Sequence, residues 1–600
     1  MKEDEIAREE RITPDRLLSV IGISPADNLQ GFSTAKPWKS KLVGLQVRGL
    51  FGYQKILDSV SRDVSVFGPW ALAAAWQSSF MDAFVIGPIK AHARMAVGSG
   101  RNPDLIADMN GWMYKGYSRL IYTLAGFFIK DGKFDREKAL KTTTTRCGKE
   151  FLLNYMEEFG QIEHNYNNVG LTRLKAMKEI LKCLLVLITE TPFDGGDEKL
   201  PFAKLNLDGT LSTSFEDYLA ENRTRLENLY RENAFDIKEF SERATGGKIG
   251  FSEYQYVEGS LIHRVRLRYY PLPAGIEANG KVIYMCSPLI NKPELFDLAP
   301  GKSVIEGMHK EGYQIYLIDH GDPGWEETKL GLDFYGKTLH DYYISIIKER
   351  HPGAEIYVMS YCMGGTLVLP YLARRAEEFK AAGKPMDIKK VALMASPVKF
   401  DDEDSGHKAM RSLIRANYDP LLMQELFGAV NIPPQLMEAG MNEIQPGVQY
   451  TVILGFYGRA EVADAIADAV PFLYWLTHGT KFPIKAHMQW IQNVYMDNQI
   501  YEGKYCLPSN NPELDDKPVN MSMLREAGVS IFDYRGTRDP IAPPGSCVAC
   551  EAWGQVGCGN VRVLSPGLDR IIEKNIGHIF VVSRKHLSEY LDAVNAFYRF

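Results

Sequence analysis

The sequence has few cysteines, no surplus of basic charge and no long apolar run free of polar residues. Each shortage excludes something. Eight irregularly spaced cysteines in 600 residues make no disulfide scaffold and fit free thiols in a reducing compartment. The formal net charge is −6, so a global basic field that would draw nucleic acid is missing. No nucleic-acid-binding motif is seen either. The opening residues, MKEDEIAREERITPDRLL, are charged and have no apolar core. A secretory leader is therefore not expected, and a cytoplasmic protein is. The most apolar long stretch, VSVFGPWALAAAWQSSFMDAFVIGPI, carries Gln77, Ser78, Ser79 and Asp82. It is expected to be a buried or surface-docking helix and not a membrane span. Internal repeats, low-complexity segments and Gly-rich nucleotide loops are also missing.

What is present is an ordinary globular composition, 45% hydrophobic and 24% charged, on a chain too long for one core. Residues 1–245 read as a helical N-terminal domain, because runs such as RLKAMKEILKCLLVLI space apolar residues at three and four. The polar stretch ending in Gly246 and Gly247 marks the expected junction. Residues 246–600 form the second expected domain. It opens with FSEYQYVEGSLIHRVRLRYYPL, which alternates like an antiparallel hairpin. Short apolar strands then alternate with helices: KVIYMCSPLI, YQIYLIDHG, EIYVMSYC and VALMASPV. This rhythm predicts an α/β fold with a mostly parallel sheet. It pauses at about 400–528, a helical, aromatic segment expected to be an inserted cap. It resumes at VSIFDYRG and VRVLSPG and closes with the helix HLSEYLDAVNAFYRF.

The chemistry gathers at YVMSYCMGGTL, residues 357–367. A strand, a sharp turn and a helix follow one another, with Cys362 where a nucleophile elbow holds its nucleophile. Gly364 and Gly365 let the helix pack close to the strand. The backbone N–H of Met363 opens a helix and is placed to receive an oxyanion. The plainer reading of the cysteine alone is a buried structural thiol. Two later residues favour the catalytic one. Asp539 lies in the loop after VSIFDYRG, and His578 lies in the loop before the terminal helix. Nucleophile, acid and histidine occur in the order of α/β-hydrolases, each after a core strand. In this reading His578 takes the thiol proton, Cys362 attacks an acyl carbonyl, and Asp539 orients His578. The second oxyanion donor is sought in Leu289, Ile290 and Asn291, with Ile290 preferred. A thiolate exchanges acyl groups with thioesters at nearly neutral energy, which favours transfer from an acyl-CoA over hydrolysis.

These residues resemble the polyhydroxyalkanoate synthases, the poly(3-hydroxyalkanoate) polymerases. SYCMGG resembles the family's G-x-C-x-G-G box, with Ser360 in place of its first glycine. CSPLINKPELFDLAPGKSVI, IDHGDPG, LYWLTHGTKFPIKAHMQWIQNVYMDNQI and NIGHI resemble four further family stretches, over about residues 250–580. The family's D-W-G-x-P carries His320 at its tryptophan, and its D-H-I is Asp539-Pro540-Ile541 here. The resemblance implies an enzyme that polymerises (R)-3-hydroxyacyl-CoA on Cys362, releases CoA and gathers polyester in granules. It implies a homodimer, a cap that gates the entrance, and no cofactor beyond the CoA thioester substrate. A thioesterase or esterase on the same triad is the alternative, with water as acceptor. A granule-associated scaffold with a degenerate site is another.

His320 lies near the sheet's C-terminal edge, where it could touch substrate; a loop histidine satisfied by its neighbours is the plainer reading. Trp475 and Trp490 could line an acyl channel, against a plain packing role. Cys547-Val-Ala-Cys550, followed by Cys558, lacks a second C-x-x-C, so no metal site is expected. Cys147, Cys183, Cys286 and Cys506 read as core residues.

Overall fold

A computed structural model describes most of residues 69–81, 121–139, 171–191, 200–418, 447–555 and 569–599, with scattered positions between them. By contacts the chain divides into two units. The first comprises residues 1–247 and 439–473; the second comprises 248–438 and 474–600. Residues 439–473, which fall inside the stretch expected as a cap, thus group with the first unit.

The described part of the first unit is mostly helical, with one short antiparallel hairpin, Ile129–Lys130 against Lys133–Phe134. Leu171–Thr189, Phe215–Arg231, Ile237–Thr245 and Gly447–Gly458 are its longer helices or close its second half. Leu181, Leu184, Leu229 and Tyr457 are completely buried in one apolar cluster. The helix Phe215–Arg231 starts where Ser214 accepts from the Asp217 N–H, and Ile237–Thr245 ends at left-handed Gly246.

The second unit is built on eight strands: β1 (Gln255–Tyr256), β2 (Arg266–Tyr270), β3 (Lys281–Cys286), β4 (Gln314–Asp319), β5 (Glu355–Tyr361), β6 (Lys390–Met394), β7 (Ser530–Gly536) and β8 (Arg570–Lys574). Their spatial order is β1-β2-β4-β3-β5-β6-β7-β8. The β1–β2 and β2–β4 pairs are antiparallel; all others are parallel. This mostly parallel sheet is an α/β-hydrolase core. β3 is buried at five of its six positions, and β5 at six of seven. A strand covered by helices on both faces must be apolar on both, which is why KVIYMC and IYVMSY show no alternation. The expected strand VRVLSPG lies outside the described residues, and the last strand is RIIEK.

Among the described residues no helix is long and apolar enough to cross a membrane. Pro69–Phe80, inside the apolar stretch noted above, is a single helix. Cys183 and Cys286 are buried as expected, whereas Cys506 is exposed. Cys506 starts a two-residue strand, and its alternation turns the thiol outward while Leu507 is buried.

Candidate active site

β5 delivers the chain to Cys362 and the helix Met363–Ala381 carries it away. Between them Cys362 adopts φ 51°, ψ −127°, a region that costs a non-glycine residue about 1–3 kcal/mol. Backbone bonds hold it there. The Cys362 N–H donates to the Met394 carbonyl at 2.9 Å, and the Cys362 carbonyl accepts from Gly365 at 2.9 Å. The two glycines are required by close approach. A Cβ on Gly364 would lie 2.4 Å from the Cys286 carbonyl oxygen, and one on Gly365 would lie 2.2 Å from Ser396 Oγ. The helix start therefore presses against the ends of β3 and β6.

Ser360, which replaces the glycine of the family box, is a buried residue of β5 paired with Cys286 and Leu393. It lies in the strand and is absent from the positive-φ positions, so the turn makes no demand for glycine there. The strained backbone of the turn is that of Cys362 itself.

Asp539 and His578 meet although they are 39 residues apart. His578 Nδ1 donates to Asp539 Oδ2 at 2.7 Å. The other carboxylate oxygen, Oδ1, accepts from the N–H groups of Ile541 at 2.9 Å and Ala542 at 2.8 Å. This fixes the carboxylate in the turn after β7. Burial lowers the pKa of His578, but the Asp539 carboxylate and the Cys362 thiolate outweigh it and hold the imidazole at about 10. Cys362 lies close enough to His578 to act on its charge. The three residues thus form one connected group. Such a group can accept a thiol proton, keep it as imidazolium and return it to a leaving group.

Two further side chains hold this group, and motif spacing points to neither. Tyr361, next to the cysteine, donates to the His578 carbonyl at 3.1 Å. His407 reaches the Ile541 carbonyl at 3.2 Å from 134 residues away. Adjacency to the elbow was the available signal for Tyr361; His407 carried none.

Met363 is the first residue of the elbow helix, where its N–H has no intrahelical acceptor. Ile290 lies in the turn after β3, whose end packs on Gly364. The Ile290 carbonyl accepts from the Thr480 N–H at 3.3 Å, and the Leu289 carbonyl from Thr480 Oγ1 at 3.3 Å. The carbonyls of this loop are thus turned to Thr480.

His320 is buried, and its Nε2 bonds the Ser287 carbonyl at 3.2 Å. Burial, opposed by the Ser287 carbonyl and Asp319, lowers its pKa to about 4, so the ring is neutral. Trp475 is buried and donates through Nε1 to the Lys292 carbonyl at 2.8 Å, so its polar edge fastens the loop after β3. Trp490 is buried edge-on against Phe400, with ring centroids 6.1 Å apart.

Cys547 and Cys550 are both buried, and Cys547 Sγ contacts the Ala542 carbonyl at 3.6 Å; Cys558 lies outside the described residues. One group of metal-ligand type exists among the described residues, His263, Glu326 and Glu327. The Glu327 carboxylate there already accepts from the Gly324 N–H at 2.6 Å and faces Arg264 at 3.5 Å.

No family model matches the chain. Curated relatives do. The chain is 26% identical over 283 residues to a "Poly(3-hydroxyalkanoate) polymerase subunit PhaC" of Haloferax mediterranei, covering 47% of this chain and 53% of that one. The corresponding protein of Haloarcula marismortui is 27% identical over 284 residues, covering 46% and 55%. The chain thus spans about half the length of these two relatives. The protein of the same name from Thiocystis violacea is 24% identical over 350 residues, 57% of this chain and 86% of that one. Among solved structures, a carboxyl esterase from Bacillus coagulans overlays 58% of the chain and 98% of its own at 12% identity, with a TM-score of 0.33. Sequence relationship and strand order agree: the chain is similar to poly(3-hydroxyalkanoate) polymerases, and its sheet has the strand order of an α/β-hydrolase fold.

Proposed function

We propose that this chain is a cysteine-dependent acyltransferase that joins (R)-3-hydroxyacyl groups from their CoA thioesters into polyester. The observation that carries the proposal is Cys362 at a strained strand–helix turn, connected to a His578–Asp539 pair.

His578 removes the Cys362 proton, and the thiolate attacks the thioester carbonyl. The N–H of Met363, with that of Ile290 as second donor, stabilises the tetrahedral oxyanion. The C–S bond to CoA breaks, CoA leaves as the thiol with the proton held by His578, and the acyl group remains on Cys362. His578 then takes the proton from the 3-hydroxyl of an acceptor, which attacks the acyl-cysteine. An ester forms and the thiol is regenerated. The thioester supplies the driving force, so the chemistry asks for no further cofactor. Asp539 keeps Nδ1 of His578 protonated and aimed throughout. In this reading His320 and Trp475 position the loop after β3, and Trp490 faces the acyl chain. The substrate, polyester granule surface and homodimeric state come from the family resemblance, the cytoplasmic location from the irregularly spaced cysteines, and all belong to the same proposal.

The test is CoA release from (R)-3-hydroxybutyryl-CoA by the wild type and Cys362→Ala, with polyester extracted from the same reactions. Release that depends on Cys362, with polyester recovered, is the expected result. Cys362-dependent release with only free hydroxybutyrate would make the acceptor water. Release unaffected by the substitution would exclude the cysteine mechanism.

A further inference from the structure

The turn that bears Asp539 is clamped from a distant segment. Residues 398–407 follow β6, and residues 539–546 follow β7. The Ser546 carbonyl accepts from the N–H groups of Val398 at 2.8 Å and Lys399 at 3.2 Å. A Cβ on Gly545 would lie 2.0 Å from the Asp404 carbonyl oxygen, and one on Gly406 would lie 2.8 Å from Pro543 Cβ. The 401–405 turn is itself fixed, because the Asp401 carboxylate accepts from the N–H groups of Glu403, Asp404 and Ser405. His407 leaves this turn and places Nε2 3.2 Å from the Ile541 carbonyl oxygen.

A carbonyl can only accept, so Nε2 carries the proton. The carbonyl of Ile541 and the N–H of Ala542 belong to one peptide group. That N–H donates to Asp539 Oδ1 at 2.8 Å, while Asp539 Oδ2 holds His578 at 2.7 Å. A donor on one side of a peptide fixes its plane and polarises the N–H on the other side. We infer that His407 is a positioning residue for Asp539, acting through the Ile541–Ala542 peptide to keep the carboxylate aimed at His578.

The surroundings of His407 suit that task. Its ring packs on Phe400 with centroids 5.0 Å apart and on Tyr495 at 5.2 Å. The charged groups that act on it are Arg411, Asp401 and Asp539. Burial first, then Arg411, lower its pKa to about 4 against the two carboxylates. The ring stays neutral from mildly acid to alkaline pH, and its N–H stays a donor throughout. Any change of pH dependence on substituting it must therefore come from His578.

This inference rests on the proposed roles of Cys362, Asp539 and His578. Its test uses the full chain, with Cys362 alkylation by iodoacetamide followed by peptide mass and CoA release followed from pH 6 to 11. Glutamine keeps a donor near the Nε2 position; phenylalanine keeps the ring without a donor; asparagine puts its donor near Nδ1. His407→Phe is expected to slow alkylation at neutral pH and CoA release by roughly threefold to tenfold, the worth of one hydrogen bond. It should also move the alkaline limb to lower pH. His407→Gln should recover most of both, and His407→Asn should not. Equal behaviour of the glutamine and asparagine variants, or an unmoved alkaline limb in both His407→Phe and His407→Asn, overturns the inference. If Cys362→Ala retains full CoA release, the mechanism beneath it falls and the inference with it. If Cys362→Ala is inactive while all three His407 variants match the wild type, the inference alone falls.

Discussion

At the scale of single residues, the site depends on a pair of opposing forces on His578. Burial disfavours the imidazolium, and Asp539 and Cys362 favour it more strongly. The folded-state pKa is raised above the ordinary value, so the stability this pair adds is fully present below about pH 6.5. It is lost as pH rises through about 10. Asp539→Asn removes the largest favourable interaction and leaves burial. Its alkaline limb of CoA release is expected to move down by about one pH unit or more, and its rate to fall by roughly 10²- to 10⁴-fold. A pH–rate profile of the two proteins checks both. Ser360→Gly, by contrast, changes a strand residue with ordinary φ. It is expected to leave activity within about twofold and to lower stability by about 1 kcal/mol, from backbone entropy. Cys362, Asp539 and His578 were legible from their order along the chain. His407 was not, because a hydrogen bond to a backbone carbonyl leaves no mark on the sequence around its acceptor.

At the scale of elements, the elbow stands on close approach between backbone segments. Gly364→Ala sets a methyl group against the Cys286 carbonyl, which belongs to a central strand and cannot give way. Loss of Cys362-dependent CoA release and a destabilisation of about 1–3 kcal/mol are expected, the second read by urea denaturation. The sheet's antiparallel edge is fastened differently. Arg268 on β2 bonds Asp319 at the end of β4 at 2.6 Å and Glu294 at 2.8 Å, all largely buried. Burial raises the pKa of Asp319, but Arg268 and further hydrogen bonds lower it more. Its contribution is therefore present above about pH 4 and lost as pH falls below that. Arg268→Met leaves buried carboxylates without their cation and is expected to cost about 3–5 kcal/mol, seen as a lower urea midpoint at pH 7. That β2 runs antiparallel followed from the alternation of the hairpin. That Arg268 is buried there did not, since Arg266, two residues earlier on the same face of the strand, is exposed.

At the scale of the whole molecule, each of the two units has its own apolar interior. In the first, Leu184 is wholly buried among helices, and Leu184→Ala is expected to cost about 2–5 kcal/mol in urea unfolding. The sequence by itself determined the α/β alternation of the second unit and the order in which the three candidate residues follow its strands. Those properties are local or ordered along the chain: periodicity follows from the rise and turn of each element, and a nucleophile elbow needs its strand, cysteine and glycines in succession. Only the tertiary structure decided that residues 439–473 group with the first unit. It alone turned the Trp475 indole to the Lys292 carbonyl and brought His407 to the turn of Asp539. The physical reason is common to these cases. They depend on which surfaces meet after the chain has folded, and meeting is a property of distance in space that no spacing in sequence encodes.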